Sequence, residues 1–292
     1  MTAITRAAPA KLNVFLRVLG RREDGYHDIQ TVILPLELHD LVTVEPADAF
    51  EVVVTGLRAE ELAAAGGDTL VERAASAWSQ AAGLAAPEVR ITVDKRIPIA
   101  AGLGGGSTDA AATILALDDL LGTDLDTETL LGVAAGVGSD VPALLLGGPV
   151  YADARGDRVT HVHAVTSHWA IAPATFPVRT PDAYAWWDAE GSSGPDPGVL
   201  IAAIEAGNDE LIGAALFDDL QGPVIARHPE IGDTIRAFED AGALGVVMTG
   251  SGPTVVALAR HMAHADQLAA AVPGAFVVAG PPRTMGPQSG VV

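Results

Sequence analysis

The sequence contains no cysteine. That excludes a disulfide framework, a thiolate metal site and a cysteine nucleophile. Lysine is nearly absent as well, since only Lys11 and Lys95 stand among the 17 basic residues. Acidic residues number 37, and the formal net charge is −20. A chain so charged lacks the basic footprint that nucleic acid requires, and the polybasic patch that favours an anionic membrane. No apolar run reaches the roughly 20 residues that span a bilayer. The opening "MTAITRAAPAKLNVFL" lacks the charged start, long apolar centre and cleavage site of a secretory leader. A cytoplasmic protein with no nucleic-acid or membrane partner is expected. The scarcity of lysine raises its own question. Arginine serves wherever else a cation is wanted, so a retained lysine suits a place that needs a compact, mobile point charge. On the count alone, chance serves equally well.

What is present is globular: 49% of residues are apolar and 18% charged. At 292 residues the chain exceeds one ordinary core, and two domains of about 100–200 residues each are expected. The texture changes near Arg155, which divides the chain into 1–155 and 156–292.

In the first part, "PAKLNVFLRVL" alternates as a strand. A turn at Asp24–Gly25 leads to a second strand, and "LVTVEPADAFEVVVTG" reads as a strand pair. Residues 68–83 read as a helix, capped by Asp68 or Thr69 and stopped at Gly83. The stretch 88–98 alternates as a strand ending at Pro98. A glycine loop follows, then a long apolar helix to Leu121 and another helix over 126–138. In the second part, "HWAIAPATFPVRTPDAYAWW" reads as a strand leading into a loop, and 191–198, "GSSGPDPG", as the flexible segment of the chain. "VLIAAIEAGNDELIGAAL" and "IGDTIRAFEDAGAL" read as helices, "GVVMTGSGPTVVALA" as strand, turn and strand, then a last helix and strand. Strands and helices alternate there as in an α+β sandwich.

Strand, glycine loop, helix is the geometry in which backbone N–H groups converge on an anion at the positive end of a helix. A dinucleotide fingerprint starting at Gly102 and Gly104 would need glycine at 107, where Ser107 stands, and a Walker loop would need a lysine that is missing. The remaining pattern, P-x-x-x-G-L-G with a small-residue helix behind it, fits "PIAAGLGGGSTDAA", Pro98 to Ala111. Its glycines let the backbone approach a polyphosphate with no Cβ in the way. Ser107 and Thr108 add hydroxyls, and Asp109 sits where it can favour the helix N-terminus. The bland alternative is a tight turn whose glycines serve backbone angles alone.

With this loop the chain resembles the GHMP kinases. The opening 9–32, "PAKLNVFLRVLGRREDGYHDIQTV", the aspartate segment 137–148, "VGSDVPALLLGG", and the glycine turn 248–257, "MTGSGPTVVA", follow in the family's order. The resemblance is nearest to the branch that phosphorylates 4-diphosphocytidyl-2-C-methyl-D-erythritol. It implies an α+β, two-domain fold: an N-terminal, ATP-binding domain of the ribosomal protein S5 domain 2 type and a C-terminal, substrate-binding, ferredoxin-like α/β sandwich. It also implies ATP with Mg²⁺, and assembly as a monomer or homodimer.

The residue roles come with the resemblance. Asp140 accepts or orients the substrate hydroxyl, and Lys11 neutralises the charge that develops beside it. Pro98, Ala100, Gly102, Leu103, Gly104, Gly105, Gly106, Ser107 and Thr108 hold ATP. Tyr26 and Tyr184 sandwich a cytosine whose edge His27 reads. Asn13, on the face of Lys11, contacts the sugar-like alcohol together with Thr180, Gly250 and Ser251. No residue is assigned to a metal.

Taken alone, each feature has a plainer account: Asp140 as a helix cap, Lys11 as an edge charge, Tyr26 and His27 as surface punctuation. Three stretches depart from the family. Thr69 stands where asparagine is common near the adenine, "GGPVYADARGD" replaces a more glycine-rich run, and Asp218–Leu220 reads "DDL" in place of "NDL". All three are expected to lie away from the chemistry. A homoserine or mevalonate kinase, or a non-catalytic member of the fold, remain as alternatives.

Overall fold

The structure, a computed structural model, describes residues 2–64, 69–99 and 101–282. A long hairpin organises the first half. β1 (Ile4–Arg21) and β2 (His27–Pro46) pair antiparallel on either side of the expected Asp24–Gly25 turn. Ala8, Ala10, Leu12, Val14, Leu16 and Val18 of β1 are each at most 2% exposed, so the even face is apolar core. On the odd face Lys11, Asn13 and Phe15 are buried too, at most 5% exposed, while Leu19 near the tip is exposed. Register shifts between Pro9 and Lys11 and between Asn13 and Phe15 bracket these two residues. Such bulges re-aim side chains beside functional sites.

The chain continues through β3 (Glu51–Gly56), α1 (Ala59–Ala64), α2 (Thr69–Ala81), β4 (Val89–Lys95), α3 (Gly105–Leu121), α4 (Thr127–Val137), α5 (Val141–Leu146), β5 (Val150–Ala154) and β6 (Arg158–His161). The expected cap Asp68 lies outside the described residues. Strands β2 and β3 are not partners, contrary to the expected pair. β4 inserts between them, antiparallel to β2 and parallel to β3. A parallel pair needs a crossover, and α1 and α2 supply it. β4 ends at Lys95 rather than at Pro98. The Asp40 carboxylate accepts the backbone N–H groups of Arg96 and Ile97 at 2.5 and 2.7 Å, which removes both from the ladder. Helices α2 to α5 cover one face of this sheet around Trp78, Ile114, Leu117 and Val133. β5 pairs with β2 and β6 with β5, so pairing in the first sheet runs past residue 155 to His161.

The second half comprises β7 (Ser167–Ala172), α6 (Thr180–Glu190), α7 (Gly198–Glu205), α8 (Asp209–Ala215), β8 (Phe217–Asp218), α9 (Gln221–Ile225), α10 (Pro229–Asp240), β9 (Gly245–Met248), β10 (Val255–Ala259), α11 (Met262–Ala271) and β11 (Phe276–Gly280). Four of its strands form an antiparallel sheet in the order β11-β7-β10-β9. Trp169, Ile171, Val256 and Leu258 share a core with Leu12, Val14, Leu34 and Leu36 of the hairpin. Phe238 and Leu268 of α10 and α11 belong to a separate core on Ala170 and Ala257 of the same sheet.

Three readings change here. The single helix expected from Val199 is two, α7 and α8, separated at Gly207 with φ 63°. Asn208 then caps α8 by accepting the Leu211 N–H at 3.1 Å. The loop expected at "RTPDAYAWW" is α6, which starts with proline in its first positions and Asp182 in its first turn, both favourable there. The segment expected to be flexible is docked: Ser193 Oγ donates to the Val18 carbonyl, and the Gly194 N–H donates to Asp219 at 3.2 Å. The Phe217 ring fills the place a Cβ on Gly194 would need. Finally, β8 joins the first sheet alongside β1, with Asp218 opposite Leu16. A short strand from the second half thereby reaches the neighbourhood of Lys11 and Asn13.

Candidate active site

The glycine loop lies between the two halves. Gly102 takes φ 73°, and a Cβ there would stand 2.8 Å from the Gly252 carbonyl of the β9–β10 turn. Thr254 Oγ1 donates to the Ala101 carbonyl across the same junction. The Leu103 carbonyl accepts the Lys11 N–H at 2.9 Å. Gly104, with φ 76°, is the N-cap of α3 and has no side chain to cap it. The first backbone N–H groups of α3 therefore lack a side-chain cap partner, which is what an anion site at a helix N-terminus needs. Gly105, Gly106 and Ser107 form that first turn. Thr108 is 1% exposed and faces the interior, so Ser107 is the hydroxyl left at the opening. Pro98 precedes the loop, and Ala100 lies outside the described residues.

Lys11 enters from β1 with its stem against Gly104, where a Cβ would come within 2.7 Å of Lys11 Cγ. Its ammonium donates to Asn13 Oδ1 at 2.5 Å and lies 3.5 Å from Asp140 Oδ2. Asn13 is held in turn: its amide N–H donates to Thr31 Oγ1 at 2.8 Å, and its backbone N–H to Thr249 Oγ1 at 2.8 Å. Much of Asn13 is thus spent on aiming Lys11, and one amide N–H remains for a substrate oxygen. Asp140 does occupy the N-cap position of α5, but its side chain makes no cap hydrogen bond. The capping account of Asp140 fails on that point. The carboxylate side chain is 36% exposed against 6% for the lysine, so a ligand reaches the carboxylate while the ammonium stays shielded.

The second lysine is buried below the loop. Lys95 Nζ lies 2.5 Å from Asp40 Oδ2 and 2.5 Å from Asp109 Oδ2, and all three residues are at most 4% exposed. Burial alone would lower the lysine pKa, but the two carboxylates outweigh it and the net shift is upward. Asp109 was expected simply to favour the helix terminus. It is bound into this triad instead, which fixes the N-terminal part of α3 to the end of β4. Both lysines of the chain therefore occupy buried places beside the loop.

The substrate-side residues are only partly as expected. Thr180, at the start of α6, shares a hydrogen bond of 3.0 Å with Ser251. A Cβ on Gly250 would stand 2.7 Å from Asn13 Oδ1, so this turn closes on the Lys11 group. Tyr26, at the hairpin tip, is 56% exposed, and the Arg155 guanidinium lies over its ring at 5.3 Å. His27 Nε2 pairs with Asp188 Oδ1 at 2.7 Å, which leaves Nδ1 for a ligand edge. Tyr184 stacks on His27 with centroids 4.6 Å apart. Tyr184 thus backs His27, while the Tyr26 ring lies under Arg155. Burial, then the Asp218 and Asp140 carboxylates, raise the Tyr184 phenol pKa.

Sequence reasoning missed Asp188, Thr31, Thr249, the Asp40–Lys95–Asp109 triad and Asp218. Each depends on a partner far away in the chain, so no local pattern marks it. Asp218 had one signal, the departure at "DDL". It was expected to lie away from the chemistry, but Asp218 is buried and close enough to Lys11 and Tyr184 for their charges to interact.

Two family profiles match the chain: the GHMP kinases N terminal domain over residues 69–148 and the GHMP kinases C terminal over 200–278. A 4-diphosphocytidyl-2-C-methyl-D-erythritol kinase of Salinispora tropica is 41% identical over 90% of this chain and 85% of its own length. One of Leifsonia xyli subsp. xyli is 39% identical over 95% and 94%. A crystal structure of 4-(cytidine 5'-diphospho)-2C-methyl-D-erythritol kinase superposes with a TM-score of 0.79 at 34% identity, covering 96% of this chain and 100% of that one.

Proposed function

The chain belongs to the GHMP kinases, and from that premise we propose that it transfers the γ-phosphoryl group of ATP to the 2-hydroxyl of 4-diphosphocytidyl-2-C-methyl-D-erythritol, a step of the non-mevalonate route to isoprenoid precursors. The observation that carries the reading is the Lys11–Asp140 pair, 3.5 Å apart where the glycine loop opens. Phosphoryl transfer asks mainly for positioning and charge neutralisation. The loop and the first turn of α3 hold the ATP phosphates through backbone N–H groups. Asp140 takes the proton of the 2-hydroxyl as its oxygen bonds to the γ-phosphorus. The bond from that phosphorus to the bridging oxygen breaks, and ADP leaves. Lys11, aimed by Asn13, offsets the negative charge that builds on the attacking oxygen and the transferring group.

Both catalytic residues are present, which argues against a non-catalytic member of the fold. Tyr26 and His27 argue against a homoserine or mevalonate kinase, whose acceptors carry no base. The cytosine stacks on the face of Tyr26 away from Arg155, and His27 Nδ1 accepts from its exocyclic amine. Tyr184 and Asp188 keep the imidazole in place. Among the described residues no group of three His, Asp or Glu stands together to hold a metal. Mg²⁺ is implied by ATP, whose phosphates would carry it with at most one or two protein oxygens.

Tyr26→Ala tests the base-binding part of this reading. Losing one stacking ring costs about 1–3 kcal/mol. The KM for the cytidine-linked substrate is expected to rise roughly ten- to a hundredfold, with the KM for ATP changed less than about threefold. An unchanged substrate KM in steady-state kinetics would remove Tyr26 from the site.

A further inference from the structure

Asp218 has a place in this site that neither the loop nor the Lys11–Asp140 pair explains. It is 6% exposed on β8, beside β1. Its Oδ1 accepts the Leu220 N–H at 2.8 Å. Oδ2 is buried with no hydrogen-bond partner among the described residues. Lys11 is the cation that acts on it, yet the ammonium contacts Asn13 and Asp140, and no ion pair to Asp218 forms. The other titratable groups facing it are Tyr184 from α6 and its neighbour Asp219. Asp219 is occupied by the N–H groups of Val18 and Gly194. A buried carboxylate with no contacting cation is costly, and such a group keeps its proton.

We propose that Asp218 is a positioning residue held as the uncharged acid beside Lys11: it holds the Leu220 N–H at the start of α9 through its carbonyl oxygen and leaves the ammonium to Asp140. An ionised Asp218 would act as a second anion on Lys11 and draw it from Asp140 and from the incoming phosphate. Burial first, and Asp219 next among the charges, raises the Asp218 pKa, and Lys11 only partly opposes this. The sign follows. Below its raised pKa, Asp218 is neutral and Lys11 serves Asp140. As pH rises through that pKa, the rival charge appears and kcat falls. Asparagine reproduces the shape and the acceptor oxygen of the neutral acid but cannot ionise.

This inference rests on the kinase reading, so its test includes a measurement that needs no turnover. Infrared difference spectra of wild type against Asp218→Asn at neutral pH are expected to show the carbonyl stretch of a protonated carboxyl in wild type. That band is expected to titrate away as pH rises, with the midpoint of the fall in kcat. Asp218→Ala, which leaves the Leu220 N–H without its acceptor, is expected to lower kcat roughly tenfold or more. Asp218→Asn is expected to recover most of that loss and to lack the fall assigned to Asp218. A carboxylate band in wild type at neutral pH, or an Asn variant as impaired as the Ala variant, would overturn the proposal. The infrared result stands whether or not the acceptor has been identified correctly.

Discussion

Asp140→Asn is expected to lower kcat by roughly 10²–10⁴-fold, the range that a proton-accepting group contributes, while ATP affinity changes less than about threefold. Asparagine matches aspartate in size but cannot take the hydroxyl proton, and it removes the negative partner 3.5 Å from Lys11. The phosphates are gripped elsewhere, by the backbone of the loop and the start of α3, so nucleotide binding persists. The cap position of Asp140 offers no competing explanation for a loss, because its side chain caps nothing. Rapid-quench turnover paired with calorimetric ATP titration separates the two effects. A kcat within about threefold of wild type would remove Asp140 from the chemistry.

Lys95→Met is expected to cost about 3–5 kcal/mol of stability, the loss typical of breaking a buried ion pair by removing one partner. The two carboxylates at 2.5 Å from the ammonium would be left facing each other in a site at most 4% exposed. Asp40 also ends β4 by accepting two backbone N–H groups, and Asp109 is the fifth residue of α3. ATP binding is therefore expected to weaken along with the fold. Lys95→Arg is not expected to restore either property, because the guanidinium fork is larger than the compact ammonium this site encloses. Denaturant unfolding of the three proteins reads the difference. A loss below about 1 kcal/mol would fit only an exposed pair.

The parts of the fold that could be read from the sequence are those with a local cause. Glycine before a small-residue run announced α3, and the Asp24–Gly25 turn announced the hairpin. The parts that could not be read have a distant cause. Nothing near β3 says that β4 will insert beside it. Nothing in "GSSGPDPG" says that Asp219 and Val18 will take up Ser193 and Gly194. The first turn of α6 does carry helix-start residues, but its aromatics and Pro181 resemble a loop until Ala183 and Trp187 find a core.

The site divides in the same way. Lys11, Asn13 and Asp140 were legible as a set because the motifs hold them in a fixed order, and the structure brings them together. Tyr26 and Tyr184 were legible as aromatics, but the contact of Tyr184 with His27 was not. The stack of Tyr184 on His27, and the Asp188 that holds the ring, arise only when α6 packs against the hairpin. Asp218 shows the limit most clearly. One acid in place of an amide carries no weight in a sequence until burial decides whether it keeps its proton.

The central claim is that a GHMP phosphate loop and a Lys11–Asp140 pair act here on a cytidine-linked alcohol. The most direct test compares two acceptors with the wild-type enzyme and ATP: 4-diphosphocytidyl-2-C-methyl-D-erythritol and the cytidine-free 2-C-methyl-D-erythritol 4-phosphate. Phosphorus NMR of the products, with kcat/KM from ADP release, reads both the site of transfer and the preference. The account expects phosphorylation at the 2-hydroxyl, with kcat/KM higher by at least about tenfold for the cytidine-linked acceptor. Equal kcat/KM for the two acceptors, or no transfer to the cytidine-linked one, would contradict it.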